Sequence, residues 1–311
     1  MPALGTDVKS TEATRLWWGG SLLALSGLAW GGMFPVVKAV LTFIDPFTFA
    51  FIRHGLTAVI FLAILAVVEG PRNLACGKHK LRVWALGTIG FGGYGLLAFI
   101  GLQNTRAEHA AVIMALLPLI TILVNWGLRG VRPSVVSAVC IAVGIAGVAL
   151  VVTDGNFSSF AAGNSAIPDL MVVLGAVCWV FYTLGRSTVS DWSTLRYTAL
   201  TCVYSVSSLA VAAAIVWWLG DEKLPTMVEV KPFASALAYT VILASVIAVL
   251  SWNVGINIVG PSKGVLFINL VPVTAFAIAV AQGRTPDVTE IVGVVLVIVA
   301  LVANSSYTPR S

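Results

Sequence analysis

Apolar runs close to 20 residues long, separated by short polar breaks, set the rhythm of this chain. Runs of that length, bounded by charges, Pro or Gly clusters, are long enough to cross a bilayer as helices. Ten of them stand out, at 16–37, 46–68, 83–102, 107–128, 133–152, 169–190, 195–219, 233–256, 261–282 and 286–303. The first is longer than the roughly 7–15 residue core of a signal peptide, and no small-x-small cleavage site follows it. It is expected to remain as the first span.

The pattern is also duplicated. Gly101, Ala107 and Pro118 recur at one constant spacing as Gly255, Pro261 and Pro272, and Leu25 to Trp30 reads like Leu174 to Trp179. The expected organisation is a tail at 1–15, a five-span unit at 16–152 and a linker at 153–168. A second five-span unit at 169–303 and a tail at 304–311 complete it. A unit with an odd number of spans starts on opposite sides of the membrane in its two copies. The halves are therefore expected to be inverted, the arrangement that supports alternating access. The predicted fold is an all-α polytopic membrane protein, ten transmembrane helices as two inverted five-helix repeats around a central cavity.

Composition agrees. The chain is 59% hydrophobic and 10% charged with a mean hydropathy of +0.98, whereas about a quarter of residues are charged in soluble domains. The net charge of +5 is spread over connections and makes no basic face, which argues against nucleic acid as a partner. With the N-terminus cytoplasmic, the inner side carries Lys9, Arg15, Arg72, Lys78, Lys80, Arg82, Arg129, Arg132, Arg186, Arg196, Lys263 and Arg310. The outer side carries Lys38, Arg106, Lys223, Lys231 and Arg284. That bias predicts both termini inside, in a cell inner membrane, with membrane lipids as surroundings. Trp17, Trp18, Trp84, Trp126, Trp192, Trp217 and Trp218 fall near span ends and read as interfacial anchors. Trp30 and Trp179 lie mid-span at matching repeat positions.

Trp30 to Phe34, Arg53 in the second span and Gly92 to Leu96 in the third resemble the EamA-type domain of the drug/metabolite transporter superfamily. So do the two turns into Pro-containing helices, Ala107 to Val112 and Gly260 to Pro272. The resemblance covers both halves and implies a ten-helix inverted-repeat carrier whose cavity is lined by the first, third and fourth helices of each half. Within the superfamily the chain is most similar to bacterial aromatic amino-acid exporters. One departure is plain: many relatives have Gly-Glu after the Pro helices, where this chain has Arg129-Gly130 and Arg284-Thr285.

Candidate binding residues follow from what the cavity needs. Trp30, Phe34 and Lys38 share one helix face, as do Trp179, Tyr182 and Arg186. Such stripes could sandwich a planar substrate between rings. Lys263 opens the ninth span and its repeat partner is His109, so a cation beside a helix N-terminus could hold an anion. Tyr94 among glycines, and Ser251, Asn253 and Asn269 at membrane depth, are further polar candidates. Each has a bland alternative, namely groove filling, snorkelling or helix-to-helix hydrogen bonding. Arg53 reads as structural or snorkelling on a peripheral helix, and His54 is left open.

No Asp or Glu lies at mid-depth, which favours facilitated diffusion or an unusual coupling over carboxylate-based proton antiport. His54, His79 and His109 share no helical face, Cys76, Cys140, Cys178 and Cys202 show no CxxC spacing, and no phosphate-binding loop occurs. Neither metal nor cofactor nor ATP hydrolysis is expected, and an intramembrane enzyme lacks its convergent ligands. The expected activity is export of small organic metabolites, amino acids with aromatic or apolar side chains first. A multidrug or dye exporter is the alternative, with a non-catalytic receptor or assembly subunit as the reading from another class. Oligomeric state stays open, and a monomer is compatible with the pattern.

Overall fold

The computed structural model describes residues 4–156, 166–220 and 225–307. Most of the expected linker at 153–168, together with Lys223 and Arg310, lies outside them. Among the described residues the chain is helical throughout, without a strand. In hydrocarbon no water can satisfy a free amide, so each apolar run closes its hydrogen bonds upon itself. The helices are α1 (Leu4–Val40), α2 (Pro46–Val68), α3 (Pro71–Asn104), α4 (Ala107–Ala115), α5 (Leu117–Arg129) and α6 (Val135–Thr153). The second half follows as α7 (Ala166–Val189), α8 (Thr194–Leu219), α9 (Val228–Val259), α10 (Val265–Ala281) and α11 (Val288–Ser306).

Local sequence explains the boundaries. Asp45 caps α2 by accepting from the amides of Phe47 and Thr48, with Pro46 in the first turn where its missing N–H costs nothing. Ser134 and Ser193 cap α6 and α8 in the same way, and Asp287 with Glu290 forms a capping box on α11. Gly130 and Gly220 end α5 and α8 at positive φ. α1 begins at Leu4, so helix runs through most of the stretch expected as a tail, and the apolar span candidate within it starts at Thr14.

Eight helices among the described residues are long and apolar enough to cross a membrane, or nine when α4 and α5 count as one span. The fourth apolar run of the sequence is thus a bent pair, with 51° between α4 and α5. Pro118 lies in the first turn of α5 and offers no amide to continue the ladder from α4. The ninth run contains the shorter apolar helix α10, which starts as a 3-10 turn over Val265–Asn269 just ahead of Pro272. Both Pro-containing runs are therefore irregular at matching places.

Packing between halves follows one rule. α1 packs on α9 and α10, and α7 packs on α3, α4 and α5; α2 packs on α8, and α6 on α11. Exchanging first half for second maps each of these contacts onto another in the set. The α6–α11 crossing makes the point at atomic scale. A Cβ at Gly147 would lie 2.6 Å from the carbonyl oxygen of Gly293, and one at Gly293 would lie 2.5 Å from that of Gly147. Small residues at this crossing let two backbones touch, which is the main source of helix association where lipid is as apolar as the side chains.

Gly147→Leu is expected to force α6 from α11 and destabilise the protein by about 1–3 kcal/mol, lowering its melting temperature in detergent. Gly55→Ala, whose new Cβ meets nothing within 4 Å, is the control and should melt at or slightly above the unmodified protein.

Candidate functional site

Between the halves lies a cavity of about 350 Å³. Its walls come from the first and third helices of both halves, with additions from α2, α4, α5, α8 and α10. One wall is a chain of rings. Trp179 stands 5.3 Å from Tyr94, 5.0 Å from Tyr182 and 5.7 Å from Phe91, and Tyr182 stacks on Tyr197 at 5.0 Å. Opposite, Trp30 meets Trp252 at 5.1 Å. Tilted and edge-on pairs at these separations are the arrangements that ring quadrupoles favour.

Irregular backbone builds both walls. Each third helix carries a π-helical segment, Thr88–Gly93 in α3 and Tyr239–Ile247 in α9. Such turns release main-chain groups from the regular ladder and frequently mark functional sites. In α9 the released carbonyl of Ala244 accepts from the indole of Trp30 at 2.9 Å, and Ser245 turns its hydroxyl toward Arg53. In α3 the same segment brings Phe91 against Trp179 and Tyr182. Gly90 makes this approach possible, since a Cβ there would lie 2.4 Å from the Tyr182 ring.

The cavity is polarised by cations. Arg53 and Arg186 line it, with His54 next to Arg53, and none of the described lining residues is acidic. Arg53 is only 5% exposed. Its Nη2 donates to Ser245 Oγ at 2.8 Å and lies 3.3 Å from Met33 Sδ, while the guanidinium sits 5.5 Å from the Phe99 ring. Its Nε has no partner, and among the described residues no carboxylate pairs with it. The Nδ1–H of His54 donates to the carbonyl of Ala50 at 2.8 Å, which leaves Nε2 as an acceptor.

The carboxylates gather instead at the end of the bundle where α4, α7 and α11 begin. Arg284 pairs with Glu108 at 2.6 Å and with Glu290, which is fully buried. Arg106 pairs with Asp154 and, at 3.3 Å, with Glu290. Arg106 Nε donates to Nε2 of His109 at 2.8 Å, so the protonated Nδ1 faces Thr105 at 3.2 Å, and Thr105 donates to Asp169 at 2.6 Å. Burial pulls the Arg284 guanidinium toward a lower pKa, but the hydrogen bonds and charges of Glu290 and Glu108 outweigh it and leave the value raised. Ligand atoms of His109, Asp154 and Glu290 lie within 4.8 Å of one another. Arginines already occupy them, so they do not form an open cation site. Along α7, Asp169 belongs to this network and Arg186 to the cavity; 17 residues at about 1.5 Å each put them roughly 25 Å apart. The cavity thus extends toward the Arg186 and Thr194 end, away from the ionic network.

Of the residues singled out in the sequence, Trp30, Phe34, Tyr94, Trp179, Tyr182 and Asn253 line the cavity together. The other four do not. His109 is buried in the ionic network. Lys263 is exposed on a four-residue turn, so no long helix terminus backs it. Ser251 is buried on α9, and Asn269 donates back to the carbonyl of Leu266 at 2.9 Å. Of the two readings for Arg53, structural or snorkelling on a peripheral helix, the snorkelling one does not fit, since α2 packs inward on α8 and on the π segment of α9 and carries Arg53 into the wall. The signal was present: Arg53 lies deeper inside a predicted span than Arg186, Arg196 or Lys263, which stand near span ends, and a charge at that depth calls for a reason. Trp192, read as an interfacial anchor, is buried instead with Arg196 4.3 Å above its ring.

Comparison with known proteins gives a consistent result. The model of the EamA-like transporter family matches residues 17–153 and again 166–306. The uncharacterized transporter YrdR of Bacillus subtilis is 32% identical over 94% of this chain and 92% of its own length. The uncharacterized inner membrane transporter YedA of Escherichia coli K12 is 25% identical over 93% and 91%. The probable terminal-alkyne amino-acid exporter of Streptantibioticus cattleyicolor is 25% identical over 87% and 88%. A solved crystal structure, 19% identical, shares the fold with a TM-score of 0.63 over 92% of this chain and 96% of that one.

Glu290→Gln removes the buried charge that both arginines share. It is expected to cost about 3–5 kcal/mol, read as a large drop in melting temperature that salt up to 1 M hardly changes, because the pair is shielded from solvent ions.

Proposed function

The chain belongs to the EamA-like transporter family, and on that premise we propose that it exports small organic metabolites by alternating access. Amino acids with aromatic or apolar side chains stand first among its substrates. The observation that carries this reading is the ring-lined, acid-free cavity between the halves. Its volume fits one small molecule, and its rings offer a planar or aliphatic body both area and preferred stacking geometry. The relative from Streptantibioticus cattleyicolor, named a probable amino-acid exporter, supports the substrate class.

Alternating access needs two halves that rock about the bound substrate. The exchange of contacts between first and second half is what a two-fold axis in the membrane plane would produce, and it supports ten spans as two inverted five-span units. In that reading α4 with α5 forms the fourth span and α10 the ninth, both termini are cytoplasmic, and the membrane is a bacterial inner membrane, as for YedA. The cavity then faces the cytoplasm, and the Arg106–Arg284 network is the closed outer gate. Opening outward breaks those pairs, while Arg186 and Thr194 draw together on the other side. With no carboxylate among its described lining residues, the substrate chamber has no acid to exchange protons, so facilitated diffusion is the energetics proposed. The acid-free lining also disfavours cationic drugs and dyes as substrates.

Counterflow in proteoliposomes tests this. Aromatic amino acids should exchange without an imposed proton gradient. Trp179→Ala should reduce exchange of phenylalanine up to about tenfold, the scale of one ring pair, and that of alanine far less. Equal loss for both would point to folding, and an absence of flux for every amino acid would sink the substrate class.

A further inference from the structure

The molecule treats its buried cations in two ways. At the gate, Arg106 and Arg284 share Asp154, Glu108 and Glu290, so every charge is met. In the cavity, Arg53 has a hydroxyl, a thioether and the face of the Phe99 ring but no counter-charge among the described residues, and its Nε has no hydrogen-bond partner. A guanidinium cannot shed its proton to escape this position. A buried charge without a partner is strongly unfavourable, and one inside a membrane span marks a pathway for a charged ligand. Ser245 donates onward to the carbonyl of Thr240 at 2.8 Å, so its oxygen is fixed as the acceptor that holds Arg53 in place. The fork is thereby oriented before any ligand arrives.

We infer that Arg53 is the docking cation for a carboxylate, and that the substrates are aryl- or alkyl-carboxylates whose apolar body lies against Trp179 and Tyr182. This rests on the reading of the cavity as the substrate chamber and specifies its chemistry. A carboxylate matches the planar guanidinium with two parallel hydrogen bonds, which phenols, amides and alcohols cannot supply. The amino group of an amino acid finds no carboxylate in the lining and is repelled by Arg53, so it adds nothing to binding. Arg186 at the open end adds a second positive charge that concentrates anions at the mouth.

Three probes of one shape separate the contributions: 3-phenylpropanoate, phenylalanine and phenethylamine, measured with the full chain by counterflow and by ligand-induced thermal shift. The expected result is that both acids move and stabilise the protein, 3-phenylpropanoate at least as well as phenylalanine, while phenethylamine does neither. Arg53→Gln should weaken both acids tenfold or more, and Arg53→Lys, which keeps charge but not the fork, by less. Because Arg53 has no internal counter-charge, Arg53→Gln should melt no lower than the unmodified protein, which a purely structural arginine would not allow. Phenethylamine binding as tightly as the acids, phenylalanine binding without 3-phenylpropanoate, or unchanged acid affinity in Arg53→Gln each overturns the assignment while the transport reading stands. No flux of any of the three overturns both.

Discussion

A peptide group in hydrocarbon has only the chain itself to bond to, and this constraint shapes every departure from regular helix here. Where the ladder is interrupted, another part of the protein supplies the missing partner. The indole of Trp30 takes the Ala244 carbonyl, the hydroxyl of Ser26 reaches that of Ala248 at 2.8 Å, and Tyr239 donates to Ala29 at 2.8 Å. Lys38 closes the end of α3 by donating to Leu102 and Gln103 at 3.0 and 2.9 Å. Nearly all of these bonds link α1 to the second half or to α3. Each π-helical segment thus contributes residues to the cavity wall, Phe91 from α3 and Ala244 and Ser245 from α9.

The same confinement governs charge. An ion pair in a low-dielectric setting must be complete, and the network at the ends of α3, α6 and α10 is complete. It also joins segments from both halves, so it can act as a latch only while the halves keep their present orientation. The cavity follows the opposite rule, with cations and no acids. The network meets its charges within the protein, the described cavity lining leaves Arg53 without a counter-charge, and the rings lie in the cavity wall.

Much of this was legible in the apolar pattern. Eight of the ten runs appear as helices able to cross a membrane, and the remaining two are the Pro-containing runs whose interruption Pro118 and Pro272 announce. Trp30 and Trp179, mid-span at matching repeat positions, both stand in the cavity wall. Lys263 and His109 stand outside the cavity lining, because repeat position says where a residue lies along its helix and not which way that helix is turned. Arg53 was undervalued for the reciprocal reason: α2 was placed at the periphery by family resemblance, whereas its contact with α8 and α9 turns one face inward.

Run length, apolar content and the duplicated Pro and Gly positions are local properties, and they alone determined that this chain is a two-unit membrane protein with a transporter's organisation. Helix rotation is not local. It depends on which small residues let two backbones meet, as at Gly147 and Gly293 or at Gly90 under Tyr182, and those partners are more than 90 residues apart in the chain. Only the tertiary structure could therefore decide that Glu108 and Glu290 pair with Arg284 and that Arg53 lines the cavity. The free energy that turns each helix comes from contacts its own sequence does not contain.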